Sequence, residues 1–160
     1  MKSTSASGAV ISRCKKYRYA LWRMWDETQP YVLFVGLNPS TADATNNDPT
    51  ITRCINFAKS WGYGGMYVTN LFAYRATQPK DLKAAKNPVG KDNDSWVLKL
   101  AKDAGIIVAI WGNHGAYQSR SQEMLKILPR PHCLKVSKTG EPMHPLYLKA
   151  DLKPSLLKRS

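Results

Sequence analysis

The chain has 160 residues, of which 24 are Lys or Arg and 11 are Asp or Glu, so its formal net charge is +13. This length is most simply one domain that buries a hydrophobic core. The charge excludes an overall neutral surface and favours a polyanionic partner. DNA or a nucleotide is the expected partner, because the basic residues occur with many Trp and Tyr residues that can stack on bases. A soluble basic protein without such a partner is the alternative.

The cysteine content argues against a metal centre. Cys14, Cys54 and Cys133 are widely separated and include no Cys-x-x-Cys pair. They do not supply a structural zinc site or a four-cysteine iron–sulfur site. His114 and His132 lack ligand-like spacing with each other or with His144, so no metal and no cofactor is expected. Reduced thiols fit a cytoplasmic protein best. No stretch is long and apolar enough to cross a membrane, and no basic amphipathic helix indicates a membrane surface.

The first third of the chain predicts two strands and a helix. Residues 1–12 are expected to be a flexible tail, and the aromatic-rich residues 17–25 a strand. We expect that strand to pair antiparallel with the next one, as an edge of the sheet. The apolar residues 31–35 predict a buried, parallel strand. After a polar loop, Asp48 and Pro49 begin a helix as its N-cap and first residue, and Gly62 ends it.

The rest of the chain alternates strands and helices. Strands are predicted over residues 66–70, 106–111 and 132–136, and helices over 79–85, from 92 to 105, and from about 115 to 128. This alternation predicts an α/β fold: a three-layer αβα domain over residues 13–150 with a central, mainly parallel four-stranded sheet and an N-terminal antiparallel edge strand. Residues 151–160 are expected to be a basic C-terminal tail.

Polar side chains follow each of the four central strands. They are Asn38 after the first, Asn70 at the end of the second with Arg75 beyond it, Asn113 with His114 after the third, and Lys138 with His144 after the fourth. Ligands of open α/β sheets bind just beyond the carboxyl ends of the strands. The pattern therefore predicts one site at this edge of the sheet.

The motifs at these strand ends resemble those of the uracil-DNA glycosylase superfamily. Gly36-Leu37-Asn38-Pro39-Ser40 is similar to its first motif, Val68-Thr69-Asn70 to the end of its second strand, and His144-Pro145 to the start of its last loop. More closely, the whole chain resembles the domain-of-unknown-function family 1643, through residues 36–43, 48–50, 61–65, 70–77 and 144–148.

The resemblance implies a role for each matching residue. The catalytic candidates are Asn38, which would position a water molecule, His144, which would donate to the departing base, and Asp43, the freest nearby carboxylate. The base-binding candidates are Gly36, Leu37, Pro39, Ser40, Asn70 and Tyr74. The phosphate-binding candidates are Arg53, Arg75, Lys138 and Asn113. Structural roles stay open: Asn38 as a turn residue, Asn70 as a strand-end cap, His144 as a loop residue, and the basic side chains as surface charges.

The implied function is hydrolysis of the base–sugar bond of a uracil-like or modified pyrimidine in DNA. The last loop departs from the superfamily pattern, since it reads His144-Pro-Leu-Tyr147, and Leu146 or Tyr147 is the candidate for a wedge into the duplex. Two alternatives remain at this point. One is a non-enzymatic nucleic-acid or modified-base binding module on the same fold, and the other is a hydrolase or transferase that acts on nucleotides.

Overall fold

A computed structural model of the chain describes residues 7–157, which form a mixed α/β fold with a seven-stranded sheet. The strands are β1 (Ser7–Ile11), β2 (Arg18–Met24), β3 (Tyr31–Gly36), β4 (Gly65–Asn70), β5 (Ile106–Ala109), β6 (His132–Cys133) and β7 (Ser155–Leu156). The helices are α1 (Pro49–Ser60), α2 (Pro79–Ala84), α3 (Asn93–Asp103) and α4 (Arg120–Ile127), with 3-10 segments at Asn113–Ser119 and Pro145–Tyr147. In this part of the chain no helix combines the length and apolar character needed to span a bilayer.

The sheet is parallel in its centre and antiparallel towards both edges. Its strand order is β1-β2-β4-β3-β5-β6-β7. Strands β4, β3, β5 and β6 are parallel neighbours, whereas β1 with β2, β2 with β4, and β6 with β7 are antiparallel pairs. The carboxyl ends of the four central strands therefore share one edge, which is where α/β sheets bind ligands.

The predicted pairing of the first aromatic strand is wrong. Strand β2 pairs with β4 rather than with β3, and it is not an edge because β1 lies on its other side. The connection from β2 to β3 crosses the start of β4, where the Trp25 and Asp26 N–H groups donate to the Gly64 carbonyl. A Cβ at Gly64 would lie 1.9 Å from the Asp26 carbonyl oxygen. Glycine is therefore needed for the crossing, and a crossing chain of this kind leaves little trace in local hydrophobic pattern.

Both predicted tails are part of the sheet within the described residues. Residues 7–11, expected to be flexible, form β1, whose Gly8 lies against the Trp22 ring, only 2.2 Å from where a Cβ would be. Small residues are selected there by the tryptophan above them, so the strand lacks an alternating apolar pattern. Residues 155–156 form β7 beside β6, and Leu157 is buried. Residues 1–6 and 158–160 lie outside the described range.

The sheet carries a hydrophobic core on each face. Alternate residues of β3 point to opposite sides: Leu33 and Val35 pack in the core under α2, α3 and α4, and Val32 and Phe34 in the core under α1. Burial on both faces explains why residues 31–35 are continuously apolar. It also fixes β3 rigidly, and this strand leads directly into the site.

Helix α1 begins and ends as the sequence predicts. The Asp48 side chain accepts from the Ile51 N–H at 2.9 Å, and Pro49 is the first helical residue. The helix ends at Ser60, and Gly62 takes a positive φ of 85° just beyond it. The capped end of α1 points to the carboxyl edge of the sheet.

Candidate functional site

A cavity of about 180 Å³, hereafter the strand-end cavity, opens at the carboxyl edge of the central strands. The loop after β3, residues 36–40, forms one part of its wall. The end of β4 and the start of α1 contribute Asn70 and Asp48, and the late His-Pro turn contributes His144. Three side chains singled out from distant parts of the sequence, Asn38, Asn70 and His144, therefore line one cavity.

Gly36 makes room for the Asn70 carboxamide. The two residues are opposite each other in the parallel register of β3 and β4. A Cβ at Gly36 would lie 2.9 Å from Asn70 Oδ1, so a larger residue would displace this side chain. Asn70 is 2% exposed, and its Nδ2 has no hydrogen-bond partner among the described residues. A buried amide donor without a protein acceptor is unusual in a folded protein and calls for a partner from outside the chain.

The orientation of the Asn38 amide is fixed by two backbone carbonyls. Its Nδ2 donates to the Ala76 oxygen at 2.8 Å and to the Pro39 oxygen at 3.1 Å. Because both amide hydrogens face carbonyl acceptors, Oδ1 is the atom left to accept a hydrogen bond in the strand-end cavity. Asn38 thus stabilises its turn and presents an acceptor at the same time.

His144 presents a neutral donor. The Leu146 N–H donates to Nδ1 at 3.3 Å, which places the proton of the neutral ring on Nε2, and Nε2 lies 3.4 Å from the Thr50 hydroxyl. Burial lowers the pKa of His144, and the Asp48 carboxylate opposes this shift only in part. The ring is therefore neutral at pH 7, with an Nε2–H donor beside the cavity.

Two charged residues of the strand-end cavity were not among the predicted site residues. Arg18, 2% exposed, donates from Nη1 to the Ala42 carbonyl at 3.0 Å, while its Nε has no partner in the described structure. Burial lowers the pKa of Arg18 to about 10, so the guanidinium stays charged at neutral pH. Asp48, predicted only as a helix cap, also lines the cavity. The signal available for Arg18 was its place, together with Arg23, in an otherwise apolar, aromatic strand.

Asp43 and Tyr74 do not line the strand-end cavity. The Asp43 carboxylate accepts from the backbone N–H groups of Thr45 and Asn46 at 3.0 and 2.8 Å, and these bonds lower its pKa to about 2. It closes its own turn, which leaves Asp48 as the carboxylate of the cavity. The Tyr74 ring packs edge-on against Tyr17, with 5.7 Å between centroids.

Arg53 stabilises the turn that carries His144. Its Nε donates to the Pro145 carbonyl at 3.2 Å and its Nη2 to the Leu148 carbonyl. The guanidinium also lies over the Phe57 ring. These bonds occupy the side chain, so Arg53 positions His144 rather than facing the cavity.

The other predicted phosphate-binding residues are also outside the cavity lining. Arg75 donates to the Lys15 carbonyl at 3.3 Å, and Asn113 accepts from the Ser137 hydroxyl at 2.7 Å. Lys138 is exposed. Asn113 therefore stabilises the loop after β6, Arg75 is half-buried, and Lys138 belongs to the basic surface.

The cavity combines donors and acceptors but lacks a metal-binding arrangement. Arg18, Asn70 and His144 supply N–H groups, and Asn38 and Asp48 supply oxygens. Across residues 7–157 no group of three or more His, Cys, Asp or Glu side chains is placed to hold a metal ion. The arrangement is suited to a polar organic ligand that both accepts and donates hydrogen bonds.

Comparisons with known proteins place the chain in a family. Neither the curated proteins nor the solved structures give a significant match. A family profile described as "Protein of unknown function (DUF1643)" matches residues 18–146. The matched range includes the residues discussed above that line the strand-end cavity, from Arg18 to His144. The chain therefore belongs to the DUF1643 family.

Proposed function

We propose that this protein hydrolyses the bond between a pyrimidine base and its sugar in DNA, as a relative of the uracil-DNA glycosylases. The observation that carries the proposal is the convergence of Asn38, Asn70 and His144 on one cavity. Its volume of about 180 Å³ compares with the roughly 150 Å³ that holds one benzene ring, so a single-ring base fits. A parallel centre of the sheet with helices packed on both faces supports the same relationship.

The side chains provide the parts that N-glycosidic hydrolysis needs. A water molecule held by Asn38 Oδ1 adds to the sugar C1′, and the C1′–N bond breaks with its electron pair passing to the base. The Asp48 carboxylate stabilises the positive charge that develops on the sugar and receives the proton of the water. His144 Nε2–H and Asn70 Nδ2 donate to the base, where negative charge develops. An amide does not accept a proton as a carboxylate does, so Asp48 takes the role first assigned to Asp43.

The surface beside the cavity suits an extruded base. Tyr147 is 87% exposed and Leu146 is 38% exposed, and both follow His144 in the same turn. Apolar side chains at such a position can fill the space that a flipped base leaves in the duplex. The net charge of +13 provides affinity for the phosphate backbone.

The proposal is tested by base release from duplex oligonucleotides that contain uracil, mismatched thymine or hydroxymethylated pyrimidine. The sharpest variant is Asp48→Asn, because asparagine also caps helices and its amide oxygen can still accept from Ile51 N–H. We expect base release to fall by about 100-fold or more, with unfolding free energy within about 1 kcal/mol of wild type. Asn56→Ala, an exposed change on the same helix, is the control and should leave the rate unchanged.

Other results would replace this function with a different one. Salt-sensitive DNA binding without base release from any substrate, by the folded wild-type protein, would indicate a binding module. Activity on free nucleotides but not on DNA would indicate a nucleotide hydrolase or transferase. Equal rates for wild type and Asp48→Asn would remove the role proposed for this carboxylate.

A further inference from the structure

One buried arginine of this protein lacks the partners that the others have. Arg18, Arg23 and Arg120 are 2%, 7% and 4% exposed. Arg120 forms ion pairs with two carboxylates at 2.9 and 3.1 Å and donates twice to the Leu71 carbonyl. Arg23 donates to three backbone carbonyls and one side-chain amide oxygen. The Arg18 side chain makes one such bond, to Ala42.

The environment of Arg18 compensates its charge only in part. No carboxylate within residues 7–157 forms an ion pair with it; Asp48, whose charge acts favourably on Arg18, lies beyond ion-pair distance. Arg23 and Arg75 are close enough to act unfavourably on it. A buried charge is costly unless it is paired and hydrogen-bonded. The residues around Arg18 offset this cost only in part.

A second residue that lines the same cavity also carries an unpartnered donor. Asn70 Nδ2 and Arg18 Nε both lack protein acceptors among the described residues, and both side chains line the strand-end cavity. Each side chain is 2% exposed, so bulk water does not readily satisfy these groups. Among the described residues, four buried side-chain polar atoms lack partners, and the two that are donors only belong to these two residues of the cavity wall. Buried polar atoms without partners are rare in folded proteins, so each of these two donors calls for an acceptor that the protein does not supply.

We propose that Arg18 and Asn70 form an oxyanion site in the strand-end cavity and bind an acidic group of the ligand. A guanidinium presents a planar fork of N–H donors that matches carboxylate and phosphate oxygens. The oxyanion has two possible sources, a carboxylate on the pyrimidine ring or the phosphate of a nucleotide. With a ring carboxylate the inference rests on the proposed function and names its substrate class, an acidic pyrimidine.

The test is calorimetric binding of four small probes to the whole chain: uracil, uracil-5-carboxylate, inorganic phosphate and uridine monophosphate. We expect uracil-5-carboxylate to bind at least about tenfold more tightly than uracil. A preference for phosphate and the monophosphate instead would support the oxyanion site and assign it to a phosphate group. Acidic probes that bind no better than uracil to the wild-type protein would overturn the inference.

Variants separate the specific contact from the general positive charge. Arg18→Gln should abolish the preference for acidic probes, and Arg18→Lys should retain part of it, since lysine keeps the charge but not the planar fork. Lys138→Gln removes one exposed positive charge outside the cavity and should bind like wild type. An unchanged preference in folded Arg18→Gln, or an equal loss in Lys138→Gln, would overturn the assignment.

These binding measurements do not depend on catalysis. If the acidic probes bind through Arg18 but no DNA substrate releases its base, the oxyanion site stands and the proposed glycosylase function fails. If uracil-containing DNA releases its base while acidic probes show no preference, the function stands and the oxyanion site fails.

Discussion

Replacing Asn38 with aspartate tests the orientation of the amide on which the proposed chemistry depends. The change is nearly isosteric, but it puts a carboxylate oxygen where Nδ2 now donates to the Pro39 and Ala76 carbonyls at 3.1 and 2.8 Å. At neutral pH two attractive contacts become repulsive ones. A carboxylate is a stronger base than an amide, yet the two carbonyls at this position can interact favourably only with a hydrogen-bond donor.

The size of the effect follows from the two contacts. Each lost hydrogen bond costs about 1 kcal/mol, and unsatisfied acceptors facing a negative charge add roughly 1–3 kcal/mol more. Asn38→Asp should therefore lower the unfolding free energy by about 2–5 kcal/mol at pH 7, a large share of the roughly 5–15 kcal/mol typical of a domain. Asn38→Ala removes the same two bonds without introducing a charge, and should cost about 1–2 kcal/mol.

The pH dependence supplies the assay. Only the protonated form of the introduced carboxyl can donate to a carbonyl, so its folded-state pKa is raised above the unfolded value of about 3.9. The destabilisation should be small below that unfolded pKa, grow as pH rises through it, and be complete above the folded pKa. Denaturant unfolding of wild type, Asn38→Asp and Asn38→Ala between about pH 4 and 8 measures this. An aspartate variant as stable as wild type at pH 7, or more stable than Asn38→Ala, would refute the amide orientation.

Three further predictions concern the walls of the cavity. Gly36→Ala should weaken binding of uracil-type probes and lower the unfolding free energy by about 1–3 kcal/mol, because the new Cβ would lie 2.9 Å from Asn70 Oδ1 and push that side chain away. Unchanged calorimetric affinity would contradict this prediction. Arg53→Met should lower the unfolding free energy by about 2 kcal/mol and speed amide hydrogen exchange around Leu148, because the Leu148 carbonyl loses its donor. Exchange at the wild-type rate would contradict this prediction. Burial lowers the pKa of His144, so the unfolding free energy of the wild type should fall as pH drops below the unfolded-state pKa of about 6.5. Denaturant unfolding of the His144→Gln variant should show a shallower decline of the unfolding free energy with falling pH. Equal slopes for the two proteins would contradict this prediction.

The elements that sequence predicts well are those with local causes. Helix α1 is indicated by Asp48 and Pro49 at its start and by Gly62 after its end. Strand β3 is indicated by an apolar run that is buried on both faces. The position of β2 has a non-local cause. Its neighbour β4 lies about forty residues further on, and a glycine at the crossing point, Gly64, makes that arrangement possible.

The residues of the site also divide into those with a local signal in the sequence and those without one. Asn38, Asn70 and His144 each follow a predicted strand, so topology alone was enough to bring them to one edge. Arg18 was missed because its importance comes from burial under segments that the sequence does not place beside it, among them the loop that contains Ala42. Asp43 and Asp48 are indistinguishable as carboxylates in sequence. Their roles separate only when hydrogen bonds show which one is confined to its own turn.

Strands β1 and β7 form the two opposite edges of the sheet, and this matters when the chain is shortened. Removing residues 1–12 would strip β1 from β2 and expose the backbone of the very strand that holds Arg18, whose register partner is Ile11. The unpaired N–H and C=O groups of an exposed edge strand can pair with a strand of another molecule. A protein shortened in this way should self-associate and disturb the strand that carries Arg18, whereas an affinity tag joined before residue 1 leaves β1 paired with β2.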